Sequence, residues 1–185
     1  MSTKQSLRTT SLTELAQLDP LIKQHHDTTI TDHLLQYIRG AGHRTIALYI
    51  AIEHEVNLER LIDSLIIDSY ALCAPRYNQQ LKTYAFHFWD TVTAFEKGQF
   101  NILEPTGRQV EPAEVDCMLI PGICFSMDGA RLGRGGGYYD RLCGNYTGER
   151  LGVCYESQKR TEIPVDAWDQ KMDLLCTETG CLRCA

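Results

Sequence analysis

The stretch Thr45-Ile46-Ala47-Leu48-Tyr49-Ile50 sets the fold class. It is β-branched and apolar without clean alternation, the habit of a strand buried on both faces in a parallel or mixed sheet. A helix should follow, with Asn57 as its N-cap and Leu58, Leu61, Ile62, Leu65 and Ile66 on one face. Tyr70 to Ala74 reads as the next strand, stopped at Pro75. Lys82 to Trp89 alternates as an antiparallel strand, and Asp116 to Ile120 is a short apolar run closed by Pro121 and Gly122. Tyr138 to Cys143 opens a helix, Leu151 to Tyr155 forms a strand, and Leu174 to Thr177 a last strand. Strands alternating with helices imply an α/β fold. The expectation is a single three-layer domain, residues 1–185, built on a mixed, mostly parallel sheet with helices on both faces.

Toward the amino terminus the pattern is helical. Ser11 and Glu14 have capping-box spacing, with Leu12, Leu15, Ala16 and Leu18 as a short stripe before Pro20. A second helix carries Ile30, Leu34, Leu35 and Ile38 and ends at Gly40 and Gly42. Ligands of open α/β sheets bind beyond the carboxyl ends of the strands, so the loops after Ile50, Ile120 and Tyr155 are the ones to inspect.

Composition narrows the function. A net charge of −6 argues against a nucleic-acid partner, which needs a field of unpaired Lys and Arg. Small anions are not excluded, because a compact site needs only a few cations and backbone N–H groups. With 43% apolar and 23% charged residues the chain is globular in character. Its longest apolar runs, Leu65 to Ile67 and Met118 to Ile120, are far too short for a bilayer, and no apolar stretch follows Lys4 and Arg8 as a signal peptide would require. A cytoplasmic protein without a membrane partner is expected. Most of the eight cysteines should be buried thiols. Cys176, Cys181 and Cys184 offer three thiolates to zinc, but no fourth ligand stands nearby.

The segment Arg131-Leu132-Gly133-Arg134-Gly135-Gly136-Gly137-Tyr138-Tyr139-Asp140 concentrates four glycines between two arginines and a helix start. Glycines allow positive φ and close approach, so successive N–H groups can face one anion while the helix start adds its dipole. Arg131 and Arg134 would add charge-assisted bonds to phosphate oxygens. The plainer alternative is a flexible surface turn, but such a turn has no use for paired arginines, paired tyrosines and an aspartate. The segment is neither a Walker A loop nor a dinucleotide-binding fingerprint.

Together with Leu119-Ile120-Pro121-Gly122-Ile123-Cys124-Phe125 and Asp128-Gly129, the segment through Arg141 closely resembles the signature of the 5-formyltetrahydrofolate cyclo-ligase family, also called methenyltetrahydrofolate synthetase. Similar residues extend along nearly the whole chain. They are Lys4 and Arg8, Tyr49, Glu55-Val56, Pro75-Arg76, then Gly98, Phe100, Ile102 and Glu104-Pro105, and finally Gly152, Tyr155, Gln158, Pro164, Asp169 and Asp173.

The resemblance implies an ATP-dependent conversion of 5-formyltetrahydrofolate to 5,10-methenyltetrahydrofolate with release of ADP and phosphate. It implies ATP contacts from Lys4, Arg8, Arg131, Leu132, Gly133, Arg134, Gly135, Gly136, Gly137, Tyr138 and Tyr139. It puts Ile50 and Glu55, with Arg134, Gly135, Gly136, Gly137 and Tyr138, against the reduced folate. Lys4, Arg134 and Tyr138 are then the catalytic side chains, and Asp140 and Asp169 the ligands of Mg2+, a hard cation suited to carboxylates. The packing alternatives are a solvated helix face for Lys4 and Arg8, a helix-start carboxylate for Asp140, a loop carboxylate for Asp169, and a helix cap for Glu55. Phe125 and Tyr138 are either packing residues or stacking platforms. A monomer is expected.

One departure stands out. Family members commonly carry further arginines after the one matched by Arg8, whereas this chain has Thr9, Thr10, Ser11 and Leu12. A short or interrupted first helix is expected from it. The departure also motivates the alternative of a non-catalytic folate or nucleotide binding paralogue of the same fold.

Overall fold

The computed structural model describes residues 3–98 and 101–185, so Phe100 of the pre-loop segment lies outside the described residues. The first helix, α1 (Lys4–Ala16), starts at Thr3, whose hydroxyl oxygen accepts the Ser6 N–H at 3.1 Å. The expectation that Ser11 begins this helix is corrected. Ser11 is buried in mid-helix, where its Oγ accepts from Arg160 Nη2 at 2.9 Å, and the same guanidinium pairs with Glu14. A tertiary partner, not a helix end, explains the Ser-x-x-Glu spacing.

Nor is α1 short or interrupted, for it runs unbroken through 13 residues. The Thr9 and Thr13 hydroxyls bond back to carbonyls of the preceding turn at 3.2 and 2.9 Å, which lets polar β-branched residues stay within the helix. The second helix, α2 (Pro20–Ala41), begins well ahead of the Ile30 stripe. Asp19 Oδ1 accepts from the N–H groups of Leu21 and Ile22 at 2.8 and 3.2 Å, and Pro20 sits where a missing N–H loses nothing. It ends, as expected, at Gly42 with φ +75°.

The strands and helices that follow are β1 (Thr45–Ala47), α3 (Glu59–Ile67), β2 (Ala71–Asn78), β3 (Thr83–Trp89), β4 (Phe95–Lys97), β5 (Leu103–Pro105), β6 (Gln109–Val110), β7 (Cys117–Pro121), β8 (Cys124–Ser126), β9 (Arg131–Leu132), α4 (Tyr138–Cys143), β10 (Glu149–Val153), β11 (Lys159–Arg160), β12 (Leu174–Thr177) and β13 (Gly180–Arg183). Eight of these strands form one sheet in the order β13-β12-β10-β7-β1-β2-β3-β6. Its centre, from β12 to β2, is parallel, and its edges are antiparallel.

Side chains alternate across this sheet with period 2. Ile46, Leu119, Leu151 and Leu174 face the core beneath α2 and α3, while Ala47, Met118, Ile120 and Leu175 face a second core closed by α4 and the small sheet β11-β8-β9. Helices therefore cover both faces, as the apolar run at Thr45 implied.

Two strand expectations are corrected. Pro75 does not stop β2. The N–H of Ala71 and the carbonyl of Cys73 bond toward β1, and Tyr77 N–H on the same side is taken by Glu104 Oε2 at 2.9 Å. Pro75 thus falls in the gap beyond the end of β1, where the ladder needs no donor. Leu174 to Thr177 is not the last strand, because β13 pairs with it in a hairpin turning at Gly180, φ +133°. The half-exposed β13 carries too little apolar pattern to announce itself.

That hairpin also removes the zinc alternative. Cys176 and Cys181 are directly opposed across β12 and β13 and joined as a disulfide, so two of the three thiolates are spent on each other. Among the free cysteines, Cys73, Cys117, Cys124, Cys143 and Cys154 are buried. No helix among the described residues is long and apolar enough to cross a membrane.

Candidate active site

In the sheet, β2 lies on one side of β1 while β7, β10 and β12 extend on the other, so the order reverses between β1 and β7. Loops leaving the carboxyl ends of these two strands diverge, and a cavity of ≈ 610 Å³ opens between them. It is lined from the β1 side by Tyr49, Ile50 and Glu55, from the β7 side by Pro121 and Gly122, and overhead by the glycine segment.

The glycine segment is anchored at both ends and open in the middle. Arg131 and Leu132 form β9 against β8, and Gly137, φ +63°, turns the chain into α4. Between them, no main-chain N–H from Gly133 to Gly137 donates to another group among the described residues. Gly135 has φ +101°, a conformation that side chains rarely adopt. Arg8 from α1 fastens the loop by donating its Nε–H to Gly133 O at 2.9 Å. Because α4 has only six residues, the loop amides and the cations, rather than a long helix dipole, are what this loop offers an anion.

The two arginines divide their work. Arg131 is buried, donating to Pro121 O at 3.2 Å and to Asp140 at 3.2 and 3.3 Å, while its Nε–H has no partner among the described residues. Arg134 is half exposed; it donates to Glu53 O at 2.8 Å and its Nε lies 3.9 Å from Glu55 Oε1.

Lys4, Asp140 and Asp169 come together, although 136 residues separate Lys4 from Asp140 in the chain. Lys4 Nζ pairs with Asp166 at 2.7 Å and with Asp169, whose Oδ2 also accepts the Asp166 N–H at 2.8 Å. Asp140 Oδ1 accepts the neighbouring Gln170 N–H at 3.3 Å. Burial alone would lower the Lys4 pKa, but the bonds to Asp166 and Asp169 outweigh it and the net shift is upward. Burial likewise pushes against ionisation of Asp169, and the Lys4 bond prevails to hold its carboxyl below the usual range.

Glu55 is built differently. Its Oε2 accepts the Ile52 N–H at 3.1 Å, and two buried tyrosines hold the loop from beneath. Tyr49 donates to Val56 O at 3.0 Å, and Tyr155 to Asp27 Oδ1 at 2.6 Å and Glu55 O at 3.3 Å. His54, φ +69°, is kept in a left-handed conformation by this loop. Burial raises the Glu55 carboxyl to about 6, against the opposing pull of the Ile52 bond and Arg134.

All of the site residues expected from the sequence line this one cavity. Phe125, by contrast, is fully buried under Gly122 and Gly152 and is a packing residue. Tyr138 borders the cavity beside Tyr84, with ring centroids 5.1 Å apart. Sequence reasoning missed Tyr84 and Trp168 and gave Glu104 no role in the site, yet all three line it. The alternation from Lys82 to Trp89 located the strand bearing Tyr84, but only the β2–β3 pairing brings that strand over the cavity.

The model of the 5-formyltetrahydrofolate cyclo-ligase family matches residues 1–178. The chain belongs to this family. A 5-formyltetrahydrofolate cyclo-ligase of Haemophilus influenzae is 30% identical over 173 residues, covering 90% of this chain and 92% of the relative. Its Saccharomyces cerevisiae counterpart is 27% identical, with 99% of both chains covered. Among solved structures, 5,10-methenyltetrahydrofolate synthetase of Aquifex aeolicus superposes with a TM-score of 0.87 at 30% identity, covering 97% of this chain and 92% of that one. The Mycoplasma pneumoniae enzyme of the same name gives a TM-score of 0.78 at 28% identity, over 96% and 99% of the two chains. These likenesses span both halves of the cavity, not the glycine segment alone.

Proposed function

We propose that this protein cyclises 5-formyltetrahydrofolate to 5,10-methenyltetrahydrofolate at the expense of ATP, as a single-domain cytoplasmic monomer. The observation that carries this reading is the convergence of the unspent amides of Gly133 to Gly137, the cations of Lys4 and Arg8, and the Glu55 carboxyl on one cavity. That is an anion cradle beside a pocket whose acceptor suits the N–H donors of a pterin.

In the proposed reaction the formyl oxygen attacks the γ-phosphorus and ADP leaves. N10 of the folate then closes on the activated carbon, loses its proton, and the former formyl oxygen departs within phosphate. The protein's task is chiefly to position the reactants and balance developing charge. Leu132, Gly133, Gly135, Gly136, Gly137 and Tyr139 shape the cradle; Lys4, Arg8 and Arg134 offset phosphate charge, and buried Arg131 supports Asp140. Tyr138, with Ile50 and Glu55, borders the folate.

Asp140 and Asp169 fit Mg2+, since both present partly exposed hard oxygens next to the cradle, each held in place by the Gln170 or Asp166 N–H. When bound there the ion would neutralise phosphate charge. Lys4, shared between Asp166 and Asp169, lines the same cavity and adds its positive charge there.

Purified protein supplied with ATP, Mg2+ and 5-formyltetrahydrofolate should generate the absorbance of the methenyl product. Folded protein that binds folate by calorimetry without turnover would instead establish a non-catalytic binder, the reading motivated by the residues after Arg8.

A further inference from the structure

Trp168 is 69% exposed although it lines the cavity. An indole left in water forgoes the burial that makes it a favoured core residue, so its placement asks for a reason. The chain's other tryptophan, Trp89, packs edge-on against Phe95 with centroids 4.9 Å apart. Tyr77, Tyr84 and Tyr138 likewise pack on one another, with Tyr84 5.1 Å from each of the other two. Trp168, among the described residues, has no ring or cation against its faces.

Its backbone is nevertheless held firmly. Asp169 N–H donates to Asp166 O at 3.1 Å, Asp166 N–H to Asp169 Oδ2 at 2.8 Å, and Gln170 Nε2 to Trp168 O at 3.1 Å. Lys4 ties the same turn to α1 through Asp166. The result is a bare aromatic face on a fixed turn of the cavity wall, adjacent in the chain to Asp169 and on the turn that Lys4 pairs with. A nucleobase stands one ribose beyond its phosphates, so it must lie on the rim outside the cations.

We propose that the Trp168 indole is the stacking platform for the nucleobase of ATP. This rests on the reading that the cavity binds ATP. Stacking reads the π face and not the hydrogen-bonding edge, so the platform accepts any purine. Base selectivity at this rim is therefore weak, and guanosine and inosine triphosphates are accepted.

In a Trp89→Phe background Trp168 is the one remaining tryptophan. ATP added without folate should quench its emission saturably, with the midpoint found by calorimetry. GTP should do the same, while inorganic tripolyphosphate, which has no base, should bind and leave the emission unchanged. In the otherwise unaltered protein, Trp168→Leu should raise the KM for ATP about tenfold, the size of one base–aromatic stack, with kcat and the folate KM unmoved. Trp168→Phe should restore most of the loss. If ATP binds by calorimetry but neither alters the emission nor depends on Trp168, the platform is refuted and the ATP reading survives. If the wild-type protein gives no heat with ATP, both are refuted.

Discussion

The two halves of the cavity are assembled by different forces. The half around Lys4, Asp140, Asp166 and Asp169 is a set of ion pairs drawn from α1, β9, α4 and the loop before β12, in which Lys4, Asp166 and Asp169 are partly exposed and Arg131, the partner of Asp140, is buried. The half around Glu55 is held by neutral donors buried in the core, chiefly Tyr49 and Tyr155 on successive carbonyls of one loop. Exposed pairs are worth little on their own and are readily exchanged for ligand charges. Buried hydrogen bonds cost a full desolvation penalty to break, so they fix geometry. The first half is therefore suited to surrendering its contacts to a polyanion, and the second to presenting a preset acceptor.

The sharpest break in this comparison is Lys4→Ala. It should lower kcat/KM for ATP by about 100-fold or more in the absorbance assay, as for loss of one donor to a transferring group, while folate affinity measured by calorimetry holds. Next comes Glu55→Gln, expected to raise the folate KM about tenfold through loss of a charged acceptor and to leave the ATP KM alone.

The pH dependence separates the halves further. The Glu55 carboxyl is raised to about 6, so it is protonated below that pH and cannot serve as a charged acceptor. The folate KM should therefore fall as pH rises through about 6, and the Glu55→Gln profile should be flat there. The sign for stability is opposite. The neutral form favours the fold, so its contribution is complete below the ordinary carboxyl value of 4.5 and is lost as pH rises through about 6, which thermal unfolding of wild type against Glu55→Gln would detect.

A weaker effect is expected from salt. Raising ionic strength well above physiological should increase the ATP KM severalfold, because the Debye length drops to about 3 Å at 1 M, and should scarcely change the folate KM. The smallest effect belongs to Tyr155→Phe. Removing the hydroxyl that joins Asp27 to the Glu55 carbonyl should reduce stability by about 1 kcal/mol and raise the folate KM modestly without altering the ATP KM.

Much of this was legible in the chain. The runs at Thr45, Asp116 and Leu151 identify buried strands because parallel strands are apolar on both faces, and the α4 helix falls where Tyr138 to Cys143 suggested it. What misled was local pattern with a distant cause. Ser11 and Glu14 resemble a helix start only because Arg160 binds both, and Pro75 resembles a strand end because its missing partner strand cannot be seen from sequence. The glycine segment and its arginines were visible as a candidate anion site, but not that Arg131 is spent on Asp140 and that Arg8 anchors the loop at Gly133.

By itself the sequence determined the strand–helix alternation, the family and the cradle of glycines, because these depend on residue type and short-range spacing. Only the tertiary structure decided that Lys4 meets Asp169, that two tyrosines underlie Glu55, and that Trp168 stands bare at the rim. Those contacts join residues far apart in the chain, and pairing over such separations is set by how the sheet is ordered and packed, not by any local preference.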